Sequence, residues 1–346
     1  MNKLTKVGLS ALCGSLATVA SANAGEIAVS GGATATWTSI SNTSTGNGIG
    51  LNSGLTFTGS GELDGGQTFT LTITQADKVA HSAASLVLTT NGLGSFTVSS
   101  ANGGTGIGGH DDVMPTAWEE TWGTGIGTGV DLAKGVSSSM NVGWKSPTWG
   151  ASYIKAAYSP QNDGVQNADK GVSGANATNL HTGYDLLINL GTGGDGVAGG
   201  LEIFAGGSQS ENDENVLSLA ASDKKEAVVG VKYAYGPLSL GVQKTGEFTG
   251  TQVGRVTEHY VNTAYGVALN VSDNLSISYG NMNSKRKLTS QDDGDAPGYE
   301  LKMESWQLAY TMGGASIKIA ETEADNTNYS SAAANDVEAT TVALSF

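Results

Sequence analysis

Cysteine is almost missing from this chain of 346 residues, with Cys13 the only one, so no disulfide framework supports the fold. Proline is also scarce, with 5 residues, and 17 Lys and Arg stand against 32 Asp and Glu, a formal charge of −15. Nucleic-acid binding rests on Lys and Arg neutralising phosphates, so this balance argues against a nucleic-acid partner. Past the N-terminus no stretch approaches 18 consecutive apolar residues, which excludes membrane-crossing helices. Helical i, i+3, i+4 stripes are equally hard to find there.

What is present begins with a leader. Lys3 and Lys6 precede the apolar run "VGLSALCGSLATVA", which is too short to span a bilayer, and Ala22-Asn23-Ala24 supplies a small-x-small cleavage site. Residues 1–24 read as a cleaved secretory signal peptide, leaving 25–346 as a single domain. Cys13 lies inside the leader after Leu12, where a lipoprotein site requires a small residue.

The remainder alternates with period two. In "TFTLTIT", Phe69, Leu71 and Ile73 oppose Thr68, Thr70, Thr72 and Thr74. Leu275, Ile277 and Tyr279 oppose Ser276, Ser278 and Gly280, while Trp306, Leu308 and Tyr310 oppose Ser305, Gln307 and Ala309. Such runs predict strands with one apolar face. We place sixteen: 26–40, 50–63, 67–78, 84–90, 94–101, 139–146, 150–159, 182–190, 200–210, 225–236, 238–249, 256–270, 275–284, 300–312, 315–324 and 337–346. Their connections alternate between short turns such as "MGG" (312–314) and long polar loops such as "ADNTNYSSAAAND". Polar positions are mostly Gly, Ser, Thr and Asn, and aromatics such as Trp37, Tyr158, Tyr235, Tyr310 and Phe346 fall near strand ends. An outer-membrane barrel has this turn asymmetry, an apolar outside, a polar lumen and aromatic girdles. An even strand count closes such a sheet without a free edge. The rival fold is a secreted Gly/Ser/Thr-rich adhesin or surface-layer β-solenoid, which calls for a fixed repeat that the sequence does not show.

One connection exceeds the rest: residues 102–138, "NGGTGIGGHDDVMPTAWEETWGTGIGTGVDLAKGVSS". Loops of this length are usually functional or disordered. Trp118 and Trp122 give it something to bury, which favours order, and Pro115 is placed to open a short helix over "TAWEET".

With the leader, sixteen strands, loop alternation, the oversized loop containing "DDVMPTAWEETWGTG" and the terminal Phe346, the chain resembles the trimeric general porins of Gram-negative outer membranes, most closely the α-proteobacterial, marine type. The resemblance implies an all-β, closed antiparallel transmembrane barrel whose long third external loop folds into the lumen. It implies a homotrimer set among outer-membrane lipid and lipopolysaccharide. It also implies recognition of the C-terminal strand by the barrel-assembly machinery through Val342, Leu344 and Phe346, with Thr340 a weaker fit to the pattern. Carried over to this sequence, the acidic side of the pore constriction comes from Asp111, Asp112, Glu119 and Glu120.

The basic side is read from parity. Lys145, Lys155, Lys232 and Lys318 all oppose apolar neighbours, and a Lys facing hydrocarbon costs roughly 2–4 kcal/mol at the midplane, which assigns them to the lumen. Basic residues are few and no dense arginine cluster is evident, so the expected pore carries water, ions and small hydrophilic solutes with mild cation selectivity. No enzyme activity is expected. The glycine spacing in "GGTGIGG" has no βαβ unit around it, the four histidines lack metal spacing, and nothing positions a Ser–His–acid triad. No cofactor is expected beyond weak divalent-cation binding by acidic external loops such as 290–300.

Overall fold

A computed structural model describes residues 26–42, 46–77, 82–100, 104–162, 180–192, 200–212, 222–250, 257–289, 299–332 and 335–346. The segment read as a signal peptide (1–24) therefore lies outside the described residues, as do residues 290–298 of the acidic loop at 290–300. The first eight strands are β1 (Glu26–Ile40), β2 (Ile49–Glu62), β3 (Thr68–Ala76), β4 (Ala83–Thr90), β5 (Gly94–Ser100), β6 (Met140–Lys145), β7 (Tyr153–Ser159) and β8 (Leu180–Gly191). The others are β9 (Gly200–Asn212), β10 (Lys224–Tyr235), β11 (Leu238–Phe248), β12 (Thr257–Asn270), β13 (Leu275–Leu288), β14 (Glu300–Met312), β15 (Ala315–Asp325) and β16 (Val337–Ser345).

Each strand pairs antiparallel with its neighbours in sequence, and β1 pairs with β16, which closes the sheet into a sixteen-strand barrel. At the seam Phe346 N donates to Ala33 O at 2.9 Å, and Ala33 N donates back to Phe346 O at 3.2 Å. Closure leaves no strand edge with unpaired N–H and C=O groups, the condition for a sheet surrounded by hydrocarbon. It also replaces the solenoid considered above. Gly313, at φ +59°, makes the tight turn between β14 and β15, a conformation in which a Cβ is strained.

The two faces follow the parity of the sequence. On β8, Tyr184, Leu186, Ile188 and Leu190 are exposed, while Asp185, Leu187 and Asn189 are buried. On β10, Val229 and Val231 are exposed and Glu226 and Val228 are buried. Exposed apolar side chains around a closed sheet invert the pattern of a soluble protein and suit a lipid surround.

The connection between β5 and β6 covers the opposite parity. Its Ile107 and Ala133 pack with Leu187, Phe204 and Val228. Its Met114, Ile126 and Leu132 pack with Ala264, Met282, Leu301, Met303 and Ala324. The expected helix over "TAWEET" does not form; residues 117–119 run as bends, and among the described residues of the segment the only helical turn is a 3₁₀ turn at Gly108–His110. Wall side chains hold this stretch instead: Ser278 accepts from Ala117 N, and Gln307 from Trp118 N and Glu119 N.

Candidate functional site

The connection is pegged to inner-parity side chains of successive strands. On β8, Asp185 Oδ2 accepts from Ile107 N at 3.2 Å, and its two oxygens accept from Val136 N at 3.2 and 3.1 Å. On β10, Glu226 accepts from Lys134 N at 2.8 Å and from Gly135 N at 3.0 Å. On β11, Gln243 accepts from Val113 N at 3.1 Å and donates to His110 O and Asp111 O at 2.6 and 2.7 Å. Asn262 on β12 donates to Asp131 O at 2.7 Å, and Ser278 on β13 accepts from Ala117 N at 2.8 Å. On β14, Gln307 accepts from Trp118 N and Glu119 N at 3.0 Å each and donates to Glu119 O at 2.8 Å. Thr322 on β15 bonds the Thr124 hydroxyl, and Thr341 on β16 donates to Thr124 O at 3.1 Å. An irregular segment removed from water needs a partner for each main-chain group, and the wall supplies them strand by strand.

The wall is also cut back to admit the segment. A Cβ at Gly241 would lie 2.7 Å from Pro115 Cδ, and one at Gly266 the same distance from Pro115 O.

Sequence reasoning missed these anchors, because Ser, Asn and Gln of inner parity resemble any wetted wall. The one available signal was Asp185, a carboxylate at inner parity between the apolar outward neighbours Tyr184 and Leu186.

The four acids form one group with Glu120 at its centre, since its charge bears on Asp111, Asp112 and Glu119. Asp111 Oδ1 accepts from Asp112 N at 3.0 Å. Asp112 is an internal brace: Oδ1 accepts from Met114 N at 3.2 Å and Oδ2 from Trp122 Nε1 at 2.9 Å. Burial pushes Asp112 up to about 7, with Glu120 adding to the rise and the Met114 and Trp122 bonds opposing it. Burial likewise raises Glu119, reinforced by Glu120 and opposed by Lys318, and it raises Asp111. His110 is the reverse case. Burial, then the charges of Lys155 and Lys232, lowers it to about 3, so its imidazole is neutral near pH 7. It lies edge-on to Phe204, centroids 5.0 Å apart, with Nε2 3.3 Å from the Tyr153 hydroxyl.

All four basic residues keep inner parity but do not form one cluster. Lys145 and Lys155 sit over the Tyr153 ring at 4.4 and 5.8 Å from its centroid. Lys232 pairs with Glu202 at 3.0 Å. Lys318 lies 5.9 Å from the Trp118 ring centroid and is the cation that acts on Glu119. The inner parity of β1–β5 is rich in hydroxyls, including Thr36, Thr38, Thr56, Thr72, Ser85 and Thr97, with Glu62 at the end of β2; between Glu26 and Ser100 the basic residues are Lys78 and His81, both outside the described residues. Val342, Leu344 and Phe346 fall on the outward parity of the closing strand and the residue after it, where Thr340 bonds Glu321 at 2.9 Å. Among the described residues no group of three or more His, Cys, Asp or Glu is arranged to hold a metal ion.

A family model described as Gram-negative porin matches residues 8–346. No curated protein matches the sequence. Among solved structures, the trimer form of in-vitro folded OmpT, an outer membrane protein of Vibrio cholerae, superposes with a TM-score of 0.64 at 13% identity, covering 93% of this chain and 99% of that one. OmpF of Salmonella typhi, in complex with daunomycin, gives 0.60 at 12% identity, covering 94% and 98%. At these identities the structural likeness speaks for the fold, and the family rests on the sequence model.

Proposed function

Because this chain belongs to the Gram-negative porins, proteins of the outer membrane, we propose that it is a water-filled, non-enzymatic channel for passive diffusion of ions and small hydrophilic solutes, mildly selective for cations. The observation that carries this reading is the pegging of the β5–β6 connection to β8 and β10–β16, with its carboxylates grouped, while the inner parity of β1–β5 is rich in hydroxyls and has no basic residue among the described ones. In this reading the connection crosses the lumen and narrows it. Solutes pass between it and the hydroxyl wall, with Glu119 and Glu120 supplying the dominant charge and Asp111 and Asp112 contributing behind them. Lys145, Lys155, Lys232 and Lys318 moderate the preference without opposing it as one cluster.

The same reading includes export by a signal peptide over 1–24, assembly through the closing strand with Val342, Leu344 and Phe346, and a homotrimer embedded in outer-membrane lipid and lipopolysaccharide. The trimer form of the Vibrio cholerae relative supports that oligomeric state. Weak divalent-cation binding at external acidic loops is the only cofactor-like interaction it includes.

Reversal potentials in a salt gradient across planar bilayers test the channel reading. A cation-selective ohmic pore is expected; anion selectivity, or no conductance from correctly folded trimers, would sink it. A second expectation concerns pH. Asp112, lifted from 3.8 to about 7, is charged only above that range. Its raised value means that seating the connection is favoured at low pH and that this contribution is lost as pH rises through about 7. Cation preference is therefore expected to fall on acidification through pH 7, with a further fall at lower pH as Glu119 and Asp111 protonate. Asp112→Asn should remove the step near 7 and leave the lower one, as read by reversal potential against pH.

A further inference from the structure

Two cations face each other on the inner wall where the fold offers no reason for it. Lys145 on β6 and Lys155 on β7 are direct cross-strand partners, and like charges in that position destabilise a sheet. The chain is strongly acidic, with only 17 Lys and Arg, yet it places two of them together. Other inward lysines have acid partners: Lys224 meets Glu226 and Glu247 at 3.3 and 3.1 Å, and Lys232 meets Glu202 at 3.0 Å. Neither Lys145 nor Lys155 has a carboxylate within 4 Å among the described residues, and Glu202, the acid whose charge reaches Lys155, is engaged by Lys232.

Both ammonium groups instead gather over one aromatic ring, that of Tyr153, which holds them near each other through cation–π attraction. The ring is itself fixed, because its hydroxyl meets the neutral imidazole of buried His110. Lys155 Nζ also reaches Gly104 O at 3.4 Å, so the pair sits where the β5–β6 connection leaves the wall. The strands that carry them are joined by the short segment 146–152, and short turns mark the periplasmic end of such barrels.

We propose that Lys145, Tyr153 and Lys155 form an anion-holding subsite on the periplasmic side of the constriction, fitted to small oxyanions such as phosphate and to carboxylate solutes. The proposal rests on the channel reading only in needing a water-accessible lumen. An oxyanion placed between the two ammonium groups accepts a charge-assisted bond from each and removes their mutual repulsion. The subsite gives a cation-preferring pore a resting place for anions, so that anionic nutrients are retained on the inner side of the narrow section.

Inorganic phosphate is the probe. The detergent-solubilised full-length barrel is titrated at low ionic strength, and ³¹P line broadening reports binding without requiring conduction. Wild-type protein should broaden the signal saturably. Lys145→Gln combined with Lys155→Gln should weaken apparent affinity about tenfold or more, the scale of losing charged hydrogen bonds. Lys145→Gln alone, whose described partner is only the Tyr153 ring, should show a smaller loss and guards against misfolding of the double variant. Lys244→Gln, on the outward parity of β11, should bind as wild type. Equal broadening by wild type and double variant overturns the proposal, as does an equal loss in Lys244→Gln, which would mark a general charge effect. Conductance in KCl is measured on the same samples. An absent current with phosphate binding intact counts against the channel reading, whereas a normal current without binding counts against the subsite.

Discussion

Asp185→Ala combined with Glu226→Ala is expected to unseat the β5–β6 connection, raise single-channel conductance and admit larger neutral solutes. Between them these carboxylates receive four main-chain N–H groups, those of Ile107, Val136, Lys134 and Gly135. A buried donor left without a partner costs about 1–3 kcal/mol, so the double variant puts several kcal/mol against the seated state. The strand ladders themselves are untouched, and Lys224 keeps Glu247 when Glu226 is removed. Opening should therefore be local rather than global. Each 1.4 kcal/mol of the loss shifts the seated population about tenfold, enough to turn a fixed constriction into a fluctuating one with higher open-channel noise. Asp185→Asn retains one acceptor and should fall between wild type and the alanine variants. The check is bilayer conductance together with limited proteolysis of the connection. Unchanged conductance and unchanged protease protection in the double variant would show that the apolar packing of Ile107, Leu187 and Phe204 holds the segment by itself.

The barrel was legible in the sequence because period two is a local property. The strand expected at 300–312 is β14 (Glu300–Met312), and those expected at 26–40 and 315–324 match β1 (Glu26–Ile40) and β15 (Ala315–Asp325). Where the period failed, a partner distant in sequence was responsible. The sequence ends β13 at 284, where outward Lys285 and Lys287 break the apolar alternation, but pairing with β12 up to Thr257 opposite Leu288 carries the strand on to Leu288. The upper half of β14 reverses its polarity, with Lys302 and Glu304 outward and Leu301 and Met303 buried inward. That reversal makes sense only once Met114, Ile126 and Leu132 of the connection are known to lie against it. The four lysines could be assigned to the inner parity from the cost of placing them in lipid. Their division into a ring-bound pair, a salt bridge to Glu202 and a partner of Glu119 could not, since it depends on register and on the course of the connection.

Glu119→Gln with Glu120→Gln is expected to bring the permeability ratio of potassium to chloride several-fold closer to unity in dilute salt. A carboxylate about 7 Å from a passing ion contributes roughly 0.6 kcal/mol in water, so each one changes local cation occupancy about threefold and the two together nearly tenfold. Screening shortens their reach to about 3 Å at molar ionic strength, so the effect should shrink as salt is raised. No cation stands across from them on the described part of β1–β5, and Lys318 is the single lysine that acts on Glu119, so neutralisation removes two carboxylates set against one cation. Gln retains length and hydrogen-bonding capacity, and the anchors of this stretch are the main-chain N–H and C=O of Glu119 held by Gln307. Conductance should accordingly change less than selectivity. If selectivity persists after neutralisation, the controlling charge lies elsewhere, and Asp111 and Asp112 are next in line because Glu120 already acts on both. If conductance collapses instead, the carboxylates hold the shape of the connection, and the selectivity reading fails at these residues.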